Sequence, residues 1–99
     1  MKVITEVTAV VDAEKEASLL EGFRRLLAGA KPDGLERTEL LRGRDGAWRI
    51  QTLWRDQEAL DTMRAAPEPP AAPTLFREVG AEPVLQILVV EESTSEGDA

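Results

Sequence analysis

Two tryptophans and two threonines are the side chains most able to do chemistry in this chain. Trp48, Thr52 and Trp54 lie in the stretch Ala47–Ala65, AWRIQTLWRDQEALDTMRA. It reads as a strand, a short turn at Arg55-Asp56 and an amphipathic helix. On a strand of period two, Trp48, Ile50, Thr52 and Trp54 share one face, and Ala47, Arg49, Gln51 and Leu53 share the other. An indole on a sheet face either packs as core or forms the wall on which a planar aromatic ligand stacks. Thr5 alternates with Val3 and Val7 on an N-terminal strand. If that strand neighbours Ala47–Trp54, the hydroxyls of Thr5 and Thr52 come together as polar anchors in an apolar pocket. Phe23, Met63 and Phe76, with Leu20, are the candidates to complete the lining. Arg77 and Arg24 are the candidate cations at its mouth.

Composition removes most other chemistries. The chain has 99 residues with no histidine and no cysteine. Zinc, haem and copper sites therefore lack their usual ligands, and Ser-His or Cys-His nucleophilic pairs cannot be built. No calcium-loop spacing of acids appears. No phosphate-binding glycine motif appears either, since Gly43 and Gly46 read as hairpin residues. Net charge is -7, with 12 bases interspersed among 19 acids. That balance opposes docking on nucleic acid or on anionic membranes. No apolar run approaches the roughly 20 residues of a membrane span. MKVITEVTAV alternates instead of forming a signal peptide's continuous apolar block, so a cytoplasmic protein is expected.

The elements that must position these residues follow in order. Val3–Val11 is a β-branched strand without a strongly polar face, expected to be covered on both sides. Asp12 stands where an N-cap belongs, and a helix runs to about Gly29 with Leu19, Leu20, Phe23, Leu26, Leu27 and Ala30 as its stripe. Glu36–Arg44, with charges alternating along it, suits an edge strand. Asp45-Gly46 is a hairpin signal that pairs it antiparallel with Ala47–Trp54. Asp56 caps the helix that turns Ala59, Leu60, Met63 and Ala66 inward. Four prolines between Pro67 and Pro73 predict a stiff extended loop. Thr74–Val79 adds one helical turn, and Val84–Val90 is a strongly apolar closing strand. Residues 1–92 form one domain; 93–99 belong to an acidic tail.

The order βαββαβ is the ferredoxin-like split βαβ of the α+β class. It predicts a four-stranded antiparallel sheet, first and third strands central, two helices on one face. The opposite face carries Ile4, Val10, Leu53 and part of the last strand, which is too apolar to leave in water. Burial against a second copy, a two-fold homodimer through the sheet face, is the expected remedy. There Glu6 should meet Arg49 or Gln51.

With LWRDQEALDTMRA following a hairpin, then a proline loop and a final apolar strand, residues 2–92 resemble the antibiotic biosynthesis monooxygenase family of dimeric α+β barrels. That family includes cofactor-independent oxygenases of quinol- and anthrone-like aromatics, as well as haem-degrading enzymes. The resemblance implies a cofactor-independent monooxygenase for a small aromatic, with no cofactor. Trp54 matches the pocket tryptophan of the anthrone oxygenases. Their asparagine four positions earlier falls on Ile50, and their tyrosine six positions later on Leu60. Arg77 is the nearest counterpart of their arginine beyond the second helix. In the haem-degrading branch an asparagine falls on Val7 and a tryptophan on Met63, and the haem-ligating histidine has no counterpart, which argues against haem degradation. Strand parity and helix spacing, together with this resemblance, put Thr5, Val7, Phe23, Thr52, Trp54, Met63, Phe76 and Arg77 at the expected substrate site, with the catalytic group unassigned. Two rivals share the fold. One is a non-catalytic dimeric module that binds a small apolar or aromatic ligand. The other is an isomerase or cyclase, for which no pocket carboxylate stands out; Glu6 has the wrong parity.

Overall fold

The computed structural model describes residues 1–94. The acidic tail expected from residue 93 lies largely outside them. Strand β1 is Val3–Val10, α1 Glu16–Ala28, β2 Leu35–Arg42, β3 Ala47–Trp54, α2 Gln57–Ala65, α3 Ala71–Glu78 and β4 Val84–Val89. A single 3-10 turn, Ala13–Lys15, leads into α1. All strand pairs are antiparallel, in the order β2-β3-β1-β4. The ferredoxin-like α+β fold expected from the sequence is therefore the one observed, with β1 and β3 central. Among the described residues, no helix is long and apolar enough to cross a membrane.

Local chemistry explains most of the element boundaries. The Asp56 carboxylate accepts the Ala59 backbone N–H at 2.8 Å and starts α2. Asp45 and Gly46 both take positive φ, which closes the β2–β3 hairpin. Asp12 departs from expectation: its side chain caps nothing, and its carbonyl accepts from Lys15 N–H instead. The proline stretch is also shorter than predicted, because α3 already begins at Ala71 and carries Pro73 in its first turn. A proline there forfeits no helical hydrogen bond, since first-turn N–H groups have no intrahelical acceptor.

The helices cover the face formed by the odd residues of β1 and the even residues of β3. Val3, Thr5, Val7, Ala9, Trp48, Ile50, Thr52 and Trp54 are all buried there. Two apolar clusters result. The larger gathers Val7, Trp48, Ile50, Leu19, Phe23 and Phe76; the smaller holds Val3, Trp54, Ala59 and Leu60. Along both central strands the residue standing between the two clusters is a threonine, Thr5 on β1 and Thr52 on β3.

On the reverse face, Glu6 pairs with Arg49 at 3.4 Å, as strand parity requires. Ile4 and Leu53 are half-buried there and Val10 is 70% exposed. Every residue of β4 is exposed, including Val84, Leu85, Ile87, Leu88 and Val89. An apolar strand open on both sides is what the reverse-face reading of the sequence did not anticipate. The reason is position: β4 is an edge strand that pairs with β1 alone.

Candidate functional site

Where the two clusters fail to meet, a cavity of about 310 Å³ opens above the sheet. Its floor is a row of threonines. Thr5 pairs with Thr52 across β1–β3, and Thr38 pairs with Thr52 across β2–β3. The Thr38 and Thr52 hydroxyls are 2.9 Å apart and share a hydrogen bond. Trp54 Nε1–H donates to Thr5 Oγ1 at 3.1 Å, entirely buried. That bond fixes the indole edge against β1, so the ring stands as a rigid wall. It also leaves Thr5 Oγ–H free to donate, since a hydroxyl accepts and donates independently.

Leu26 from α1, Leu60 and Met63 from α2, and Pro73 from α3 form the remaining walls, while Leu85 and Ile87 of β4 border the open side. The position of α2 depends on its cap. The N–H of Ala59, and then Arg55, hold the Asp56 carboxyl below the usual range. Lys31, Arg64 and Arg77 stand at the rim, and among the described residues no aspartate or glutamate borders the cavity. Among the described residues, no cluster of acids is arranged to hold a metal ion. The chemistry within reach is therefore that of hydroxyl donors, one indole, a thioether and cations.

Six of the eight residues singled out from the sequence are brought together: Thr5, Val7, Thr52, Trp54, Met63 and Arg77 all border the cavity. Phe23 and Phe76 do not. Both are buried in the larger cluster with Trp48 and Ile50, filling space at the other end of the sheet. On α1 it is Leu26 and Leu27, nearly one turn beyond Phe23, that reach the cavity. Arg24 lies on the exposed side of the same helix and does not border it. Trp48 also belongs to the far end. Its Nε1–H donates to Glu16 at 3.1 Å, and Arg42 lies over its ring at 4.6 Å from the centroid. Thr38, Lys31 and Arg64 escaped notice. Thr38 was hidden by the loop length: a two-residue Asp45-Gly46 turn would set Glu39 opposite Thr52, whereas the loop spans residues 44–46 and brings Thr38 there.

No family model matches the sequence, and no curated protein matches it either. Solved structures do. A Deinococcus radiodurans protein described provisionally as an antibiotic biosynthesis monooxygenase superposes with a TM-score of 0.75 at 20% identity, covering 94% of this chain and 96% of that one. SnoaB, a cofactor-independent oxygenase from Streptomyces nogalater, gives 0.75 at 24% identity, with 96% and 98% covered. The haem-degrading protein Rv3592 of Mycobacterium tuberculosis gives 0.68 at 21% identity, with 96% and 100% covered. Across nearly its whole length, this chain has the fold of the antibiotic biosynthesis monooxygenase structures.

Proposed function

We propose that the chain binds a small aromatic of the quinol or anthrone type against Trp54 and oxygenates it without a cofactor. The observation that carries this reading is the cavity itself: apolar walls, one fixed indole and a floor of hydroxyls. A planar ring stacks on the indole, and Thr5 Oγ–H donates to a ring oxygen. SnoaB, a cofactor-independent oxygenase of the same fold, supports the choice of reaction.

Such a reaction needs no external reductant. Converting an anthrone methylene to a carbonyl consumes one O₂: one oxygen atom stays on carbon, and the other leaves as water with the two methylene hydrogens. The protein's task is to bind the ring, favour its anion and exclude bulk water. Rim cations stabilise the oxyanion that forms when the substrate loses its proton to solvent. The same reading includes a homodimer through the reverse sheet face, which would cover Ile4, Val10, Leu53 and Leu88.

A second reading is a binding module without turnover. Val7, Ile50 and Leu60 favour it, since all three border the cavity as apolar groups and none can move a proton. Oxygen uptake separates the two readings. With a panel of quinols and anthrones, the oxygenase reading predicts uptake above the buffer rate that falls sharply in Trp54→Ala. A rate equal to buffer with every compound, alongside measurable binding, leaves the binding module.

A further inference from the structure

We infer that Met63 is an oxidation site: an aromatic hydroperoxide held against Trp54 passes its outer oxygen to the Met63 sulfur, and the sulfoxide that results weakens the site. The inference rests on the aromatic-site reading above and adds to it a covalent modification of the protein itself.

Few side chains here can take up an oxidising equivalent. The chain has no cysteine, histidine or tyrosine, and its readily oxidised groups are two methionines and two tryptophans. Trp48 is buried at the far end of the sheet and bound to Glu16, and Met1 is 75% exposed at the N-terminus. Of the four, Trp54 and Met63 border the cavity.

Met63 is placed unlike a core methionine. It stands one turn after Leu60 on the inward side of α2, and it packs on the cluster that contains Trp54. Leu60 is fully buried, whereas Met63 is half-buried. It borders two open spaces, the cavity and a crevice behind the proline loop that Glu58, Pro69 and Pro70 also line. An unbranched thioether with three rotatable bonds can therefore swing toward a ligand without disturbing a packed core.

The chemistry separates Met63 from Trp54. A thioether attacks the outer oxygen of a hydroperoxide in a two-electron step that needs no metal. The O–O bond breaks, an S=O bond forms, and the proton ends on the oxygen left behind, which becomes an alcohol. The sulfur is oxidised and the hydroperoxide reduced. The Trp54 indole, its N–H tied to Thr5, offers no comparable lone pair. Addition of O₂ to the carbanion of a bound anthrone gives a hydroperoxide of this kind before water is lost. The sulfoxide then sets a polar oxygen in an apolar wall, which works against an aromatic ligand.

The test treats the full chain with cumene hydroperoxide, which carries a ring, or with hydrogen peroxide, which does not. Peptide mass spectrometry follows each methionine, with Met1 as the exposed internal reference. Cumene hydroperoxide should oxidise Met63 at least about tenfold faster than Met1, through proximity. Hydrogen peroxide should favour Met1, and saturating anthraquinone-2-carboxylate should remove the Met63 preference. After cumene hydroperoxide treatment, affinity for that anthraquinone should fall about tenfold and recover with methionine sulfoxide reductase. In Met63→Leu the treatment should leave affinity where it was. Equal rates at Met63 and Met1, in a protein that binds the anthraquinone, would overturn the inference and leave the aromatic site standing. The same Met63 preference with hydrogen peroxide, or one that the anthraquinone does not remove, would also overturn it. No binding of the anthraquinone at all would overturn both.

Discussion

Thr5 does two jobs with one oxygen: it holds the Trp54 indole in place and keeps a proton to offer a ligand. Thr5→Val preserves the shape but strands the indole N–H in a buried position. That should cost about 1–3 kcal/mol, read as a shift in the urea midpoint. Asp56 works at the same scale. Because its folded pKa lies below the unfolded value of about 3.9, its contribution to stability is complete above that value and lost as pH falls through the folded one. Asp56→Asn keeps a capping oxygen and should abolish this acid-side dependence, whereas Asp56→Ala should lower stability at neutral pH as well. Stability profiles of the three proteins between pH 2 and 7 would show it. At this scale strand parity made Thr5, Thr52 and Trp54 legible from sequence, because a period of two leaves little choice of face. Phe23 and Phe76 were not assignable to cavity or core. A helix stripe says which residues turn inward and says nothing about which of them meet a gap.

Between elements, the cavity depends on α2 being held over the end of the sheet. Gly34, just before β2, has φ of 85°, and its carbonyl accepts the Arg55 N–H at 2.8 Å. A Cβ there would stand 2.4 Å from Ala59 Cβ. Gly34→Ala therefore combines left-handed strain with a clash against α2. It should destabilise by at least about 1 kcal/mol and weaken ligand binding as α2 shifts. Thermal unfolding and an aromatic-ligand titration on the same variant would test both halves. Element order and the β3 boundaries were readable in the sequence from hydrophobic period and hairpin chemistry. The start of α3 was hidden, because a proline reads as a helix breaker until its place in the first turn is known.

Over the whole molecule, the surface that calls for a partner is β4, apolar and exposed on both sides at the sheet's edge. Among the described residues no element lies over it, and a strand's own residues do not say what faces it from outside the sheet. The homodimer proposed above predicts a sedimentation coefficient of two chains, and Leu88→Glu, on the reverse face, should shift it to one. A wild-type chain that sediments as a stable monomer would contradict that part of the account.

The claim on which the rest turns is that the gap beside Trp54 is a binding site. In a Trp48→Phe background Trp54 is the sole indole, and its fluorescence can be followed as anthraquinone-2-carboxylate is added. The account predicts saturable quenching that disappears in Val7→Phe, where a ring from β1 fills the gap. Quenching that rises linearly without saturation, and is the same in both proteins, would contradict it.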